Sequence, residues 1–98
     1  MRFDDRARFA ARDGAVWREL EGRVYVLDGA TGDHYETNAV GGLVFRLAAE
    51  GREVDAIREA LFAAFAVERS TLDADLASYL SALLERGLLV VADDSAGH

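Results

Sequence analysis

His34 and His98 are the only histidines in the chain, and no second ligand stands at a metal-binding spacing from either. Neither HExxH nor a DxDxDG calcium loop occurs. Ser70, Ser78, Ser81 and Ser95 have no general base near them in sequence. Cysteine is absent, which removes thiolate nucleophiles, disulfides and thiolate metal sites together. Gly41–Gly42 belongs to neither GxGxxG nor GxxxxGK[ST], so no phosphate cradle is present. The chain holds 18 Asp and Glu residues, yet acid–base catalysis needs two carboxylates in contrasting environments across a cleft, and no spacing singles out such a pair. The expectation is a protein that is not an enzyme, with no cofactor and no metal.

What remains is the chemistry of the backbone. The stretch "TGDHYETNAVGGLVF", residues 31–45, begins as a strand and ends as a helix. Few bulky apolar side chains mark its extended part, as suits an edge strand left open for something else to pair with. Upstream, Ala15–Leu20 and Arg23–Asp28 are β-prone runs separated by Glu21-Gly22, a hairpin signal. "GATG" (29–32) makes a second turn, and Asp33–Thr37 the third strand of a small meander. From Asn38, a good N-cap, the period changes. Val40, Leu43, Val44 and Leu47 recur at helical spacing up to the glycine of "EG" at 50–51. Val54, Ile57, Leu61 and Phe65 mark a second helix. Ser70-Thr71-Leu72-Asp73 opens a third, with hydroxyls at its cap and Leu72, Leu76, Tyr79, Leu80 and Leu83 on its inner face, ending near Gly87. Leu88–Val91 is an apolar stretch expected to fold back onto the body.

Length and composition bound the rest. Ninety-eight residues, 51% hydrophobic, suffice for one domain with a modest core. Residues 1–13 are charged and sparsely apolar, a loose arm with Phe3 and Phe9 as anchors, and 92–98 is a polar tail. No apolar run reaches the roughly 18 residues of a membrane span, and the acidic start is unlike a signal peptide. A soluble, cytoplasmic protein with no membrane partner is expected. All basic residues are arginine, and the formal net charge is −7. A nucleic-acid binder needs a positive footprint, so no nucleic-acid partner is expected.

In order along residues 16–91, the segments resemble the PqqD-like family, the RiPP recognition elements. "GRVYVLDGATGDHYETN" stands where that family has a strand, a turn and a strand followed by Asn. "AVGGLVFRLAAEG" matches its first helix, with Phe45 where Trp or Leu is common. "EVDAIREALFAAF" matches its second. "DADLASYLSALLERGLL" matches its closing signature through Asp75, Leu76, Tyr79, Leu80, Leu83, Gly87, Leu88 and Leu89. Thr37 departs from the usual apolar residue before Asn, and Glu53 from a usual capping Thr or Ser.

The resemblance implies an α+β, winged-helix-like fold, with a three-stranded antiparallel sheet followed by three helices, over a peptide-binding domain at 14–91. It further implies that the leader segment of a ribosomally made precursor peptide adds to the third strand. Its apolar side chains would enter the cleft beside the third helix, for presentation to a maturation enzyme, either a radical-SAM protein or a leader protease. The residues expected to meet the leader are Asp33, His34, Tyr35, Glu36 and Thr37 on the strand, and Leu72, Asp75, Leu76, Tyr79 and Leu83 on the helix. Taken as residues alone, the leucines belong to the core first, and Asp75 suits the start of a helix. Tyr35 should face inward while His34 and Glu36 face out. Gly41 and Gly42 suit close backbone packing, and Arg46 and Arg58 suit solvated helix faces. A homodimer through the same open edge is compatible with this reading. A small winged-helix DNA-binding regulator is the alternative, against which the acidic third helix argues.

Overall fold

In this computed structural model, residues 3–29, 31–66 and 68–92 are described. The strands are β1 (Arg8–Ala11), β2 (Ala15–Leu20), β3 (Arg23–Asp28), β4 (His34–Glu36) and β5 (Leu89–Ala92), and the helices α1 (Ala39–Ala49), α2 (Val54–Ala64) and α3 (Arg69–Glu85). β2, β3 and β4 form an antiparallel sheet in that order, followed by three helices, as the sequence predicts.

Strict alternation in β3 creates the sheet's two faces. Val24, Val26 and Asp28 are buried, while Arg23, Tyr25 and Leu27 point outward. Trp17, opposite Val26, packs edge-on against Phe45 of α1 with ring centroids 5.3 Å apart. The core lies between this inner face and the helices, around Val44, Phe45, Ile57, Leu61 and Leu80, all essentially without exposure. Asp28, the buried carboxylate of the sheet, is met by Arg12 at 3.4 Å. The β2–β3 turn places Glu21 at φ 55 and Gly22 at φ 80, the left-handed geometry that suits a two-residue hairpin.

Arg8–Ala11, which the sequence leaves in a loose arm, is strand β1, and it pairs antiparallel with β5 as a second sheet. Its Phe9 is 1% exposed, packed in the core and edge-on to Phe3. Two backbone bonds latch the segment further, from Val54 N–H to Ala7 C=O (3.0 Å) and from Asp55 N–H to Asp5 C=O (2.9 Å). Leu88 and Leu89 fold back and are buried, as expected. Of the stretch read as a polar tail, Ala92 ends β5, and the remainder, with His98, lies outside the described residues.

Arg58 differs from the solvated residue its helical position suggests. Its guanidinium binds Asp73 at 2.6 Å, Asp5 at 3.0 Å and Asp55 at 3.1 Å, tying the N-terminal segment to α2 and α3. Desolvation pulls against its charge, but hydrogen bonds to Asp73 and Asp5 outweigh it and hold the pKa above the ordinary guanidinium value. The third helix also begins differently from expectation. Its N-cap is Glu68, without a side-chain cap bond, and Ser70 and Thr71 are already helical. At its other end, Leu88 N–H reaches Leu83 C=O and Gly87 N–H reaches Leu84 C=O. Gly87 itself stands at φ 75, a glycine stop of the kind the sequence suggests.

Candidate functional site

Among the described residues, the β4 strand has one partner, β3. Thr37 N–H donates to Val24 C=O (3.0 Å), and Asp28 N–H donates to Asp33 C=O (2.8 Å). With Val26 opposite Tyr35, the backbone groups of residues 33, 35 and 37 therefore point into the sheet. The alternation of an antiparallel ladder turns the N–H and C=O groups of His34 and Glu36 the other way, toward the open edge. Side chains alternate too. His34 and Glu36 are exposed and Tyr35 is half-buried against the core, as the sequence predicts. Glu36 is held by Arg23 at 2.7 Å.

Thr37 extends the ladder with its side chain. Its hydroxyl accepts from Val24 N–H (3.0 Å) and donates to Val24 C=O (3.3 Å). Asn38 then caps α1, its Oδ1 accepting from Gly41 N–H at 2.8 Å. This tight strand-to-helix passage accounts for the glycine pair. A Cβ on Gly42 would stand 3.0 Å from Thr37 Oγ1, 3.1 Å from Gly22 C=O and 3.2 Å from Val24 N. A Cβ on Gly41 would stand 2.8 Å from Cε1 of Tyr79. Tyr79 thus lies flush on α1.

Between the open edge and α3 runs a groove of about 460 Å³. Its strand wall is His34, Tyr35, Glu36, Thr37 and Asn38, and its other wall is Tyr79, Ala82, Leu83, Arg86 and Leu88. Six of the ten residues predicted from sequence meet here. Asp33 stands just before β4, outside the lining. Leu76 is 2% exposed, packed in the core and facing the Arg58 side. Leu72 and Asp75 lie farther along α3, where with Val40, Leu61 and Phe65 they line a small pit of about 30 Å³. Asn38, Ala82, Arg86 and Leu88 are lining residues that sequence reasoning missed. Continuing the three-and-four spacing of Leu72, Asp75 and Tyr79 along α3 leads to Ala82 and Arg86, so the signal for two of them was present. Arg86 lies over Tyr35, its guanidinium carbon 5.2 Å from the ring centroid.

No group of three or more potential metal ligands occurs among the described residues, and none of their helices is long and apolar enough to cross a membrane. The arrangement offers backbone donors and acceptors on one wall and apolar side chains with one cation on the other.

Residues 23–89, from the start of β3 to the start of β5, match the family described as coenzyme PQQ synthesis protein D (PqqD). The chain belongs to the PqqD family. No sequence among the curated proteins matches it significantly. Two solved structures share its fold. One is TbiB1 in complex with the TbiA(beta) leader peptide, at 30% identity and a TM-score of 0.77, over 87% of this chain and 99% of that one. The other is lasso peptide synthetase B1 complexed with the leader peptide, at 23% identity and a TM-score of 0.76, over 86% of this chain and 99% of that one. The PqqD match spans every element that builds the groove.

Proposed function

We propose that this protein binds the leader segment of a ribosomally made precursor peptide and presents it to a separate maturation enzyme, without catalysing a step itself. The observation that carries this reading is the open edge of β4 standing beside an apolar groove, in a chain whose 30%-identical relative TbiB1 is complexed with a leader peptide. An extended peptide added at that edge would pair with the outward N–H and C=O groups of His34 and Glu36. Its alternate side chains would enter the groove against Tyr35, Tyr79 and Leu83. Main-chain pairing supplies affinity that is indifferent to sequence, and the groove supplies selection.

The partner enzyme in this reading is a radical-SAM protein or the leader protease of a lasso-peptide system. Cytoplasmic action fits both. The same edge would support a homodimer only in competition with the peptide. A DNA-binding role is disfavoured by the net charge of −7 and by a third helix carrying Asp73, Asp75 and Glu85.

The test is to titrate 15N-labelled protein with synthetic leader segments from the precursor-sized reading frames beside its gene. The expected result is shifts centred on residues 34–37, 79, 83 and 86. Binding that moves other residues and spares these would place the site elsewhere. Equal processing of the precursor by the neighbouring maturation enzyme with and without this protein would remove the presenting role.

A further inference from the structure

A strand edge by itself accepts a peptide running in either direction. We infer that Asp75 and Arg86, two oppositely charged residues on one face of α3, select the direction of the bound peptide by pairing with a basic and an acidic side chain on it. The inference rests on the peptide-binding reading of the β4 groove.

Along α3 and its C-cap Arg86, which keeps helical backbone angles, Leu72, Asp75, Tyr79, Ala82 and Arg86 follow one another at spacings of three and four, so they form one stripe. The stripe is the common wall of the groove and the pit. Arg86 belongs to the groove beside Tyr35, and Asp75 to the pit beside Val40. Between them Tyr79 meets Asn38. The chain from Tyr35 through Asn38 to Val40 therefore runs alongside α3 from Arg86 to Asp75.

Neither charge is spent inside the protein. Arg86 rests on the Tyr35 ring and has no ion pair, and Asp75 is exposed with neither ion pair nor hydrogen bond, among the described residues. Two other charges, one on the strand and one on α2, are engaged. Glu36 is held by Arg23, and Arg58, on the far side of α3, by three carboxylates. In a chain of net charge −7, Arg86 is the cation of the groove wall, and its stacking on Tyr35 limits its freedom before any ligand arrives. Arg86 also complements the C-terminal end of α3. That role alone calls for no charge on the peptide.

The spacing of the two charges sets the spacing of their partners. Eleven helical residues rise about 16 Å at about 1.5 Å each. An extended peptide covers that span in about five residues at about 3.3 Å each. Because side chains alternate, two that both face α3 are separated by an even number, so the partners should stand about four or six positions apart. A peptide that continues the antiparallel pattern of β2, β3 and β4 enters at the Val40 end, so the basic residue comes first.

The test uses a display library of random twelve-residue peptides selected on the full chain and on the D75R/R86D variant. Both positions are exposed, and circular dichroism checks the fold. Wild-type pools should enrich a basic residue followed four or six positions later by an acidic one, between apolar anchors. The variant should enrich the reverse order and bind wild-type-selected peptides at least tenfold more weakly. A wild-type pool with the acidic residue first would overturn the assigned direction. Pools with the same apolar anchors but no charge preference, or an order unchanged in the variant, would overturn the directional role and leave peptide binding standing. If the wild-type chain enriches no peptide at all, the peptide-binding reading fails and this inference with it.

Discussion

The Tyr79 hydroxyl accepts a hydrogen bond from Asn38 Nδ2 at 2.8 Å and donates to Asn38 Oδ1 at 3.1 Å, joining the groove floor on α3 to the residue that caps α1. The same Oδ1 accepts from Gly41 N–H, and the Tyr79 ring lies against Gly41. One side chain therefore serves the groove, the helix cap and the α1–α3 contact. Tyr79→Phe keeps the ring and removes only the hydroxyl. It should cost about 0.5–1.5 kcal/mol in urea unfolding, toward the lower end because water reaches the exposed pair. Peptide affinity should change little. A loss of peptide binding at unchanged stability would make the hydroxyl a direct contact instead.

The two glycines of α1 should respond differently to alanine. Each substitution gains roughly 1 kcal/mol of helix propensity. At Gly41 the obstacle is the Tyr79 ring, a side chain that is able to shift. At Gly42 two of the three obstacles are backbone atoms, Gly22 C=O and Val24 N. Overpacking against a fixed neighbour costs typically about 1–3 kcal/mol. Gly42→Ala should therefore destabilise the protein, and more than Gly41→Ala does. Gly41→Ala should also be less costly in a Tyr79→Ala background than alone. Equal effects at the two positions, or strict additivity with Tyr79→Ala, would contradict the packing described.

His34→Pro tests the open edge. Proline removes an N–H that points away from β3, so the β3–β4 ladder keeps its bonds and circular dichroism should be nearly unchanged. Loss of one strand hydrogen bond at about 1 kcal/mol corresponds to roughly fivefold weaker peptide binding, with further loss if the ring blocks approach. Glu36→Ala leaves the backbone groups in place and removes an exposed ion pair worth at most about 1 kcal/mol, so it should hardly matter for binding. Calorimetric titration with a peptide enriched by the wild-type chain checks both. If affinity survives His34→Pro, strand addition at β4 is excluded.

The open edge was legible because periodicity changes sharply at Asn38, and because His34–Glu36 lacks the apolar content of an inner strand. The third helix was half legible. Its leucines mark the core face, but whether Leu76 or Leu83 borders the groove depends on how α3 is rotated against β4, which spacing alone leaves open. Helical spacing points to Arg86, but its place in the groove is set by Tyr35, distant in sequence, which spacing alone does not reveal. β1 went unnoticed for the same kind of reason. Arg8–Ala11 carries one large apolar side chain, and its strand partner lies at the other end of the chain. Arg58 reads as a surface residue because two of its three carboxylates, Asp5 and Asp73, come from distant segments.

That N-terminal segment gives the last prediction. Phe9 is 1% exposed, and truncating a buried phenylalanine typically costs about 3–5 kcal/mol, a large part of the roughly 5–15 kcal/mol that stabilises a domain. Phe9→Ala should lower the urea midpoint strongly, whereas substitution on a loose arm would leave it within about 0.5 kcal/mol. Arg58→Met separates the latch from the core, because it removes the ion pairs to Asp5, Asp55 and Asp73 while keeping an unbranched apolar stem. The variant should exchange its Val54 and Asp55 amide hydrogens faster, since these bond to Ala7 and Asp5. The Arg58 contribution has a defined sign with pH. Its pKa is raised on folding, so the stabilisation is fully present below the ordinary guanidinium value and is lost only as pH climbs through the raised one. Titrating Arg58 across the neutral range should therefore change nothing, and substitution is the way to expose its role. Unchanged exchange at Val54 and Asp55 in Arg58→Met, with a normal midpoint, would show that Phe9 and the β1–β5 pairing hold the segment without the clamp.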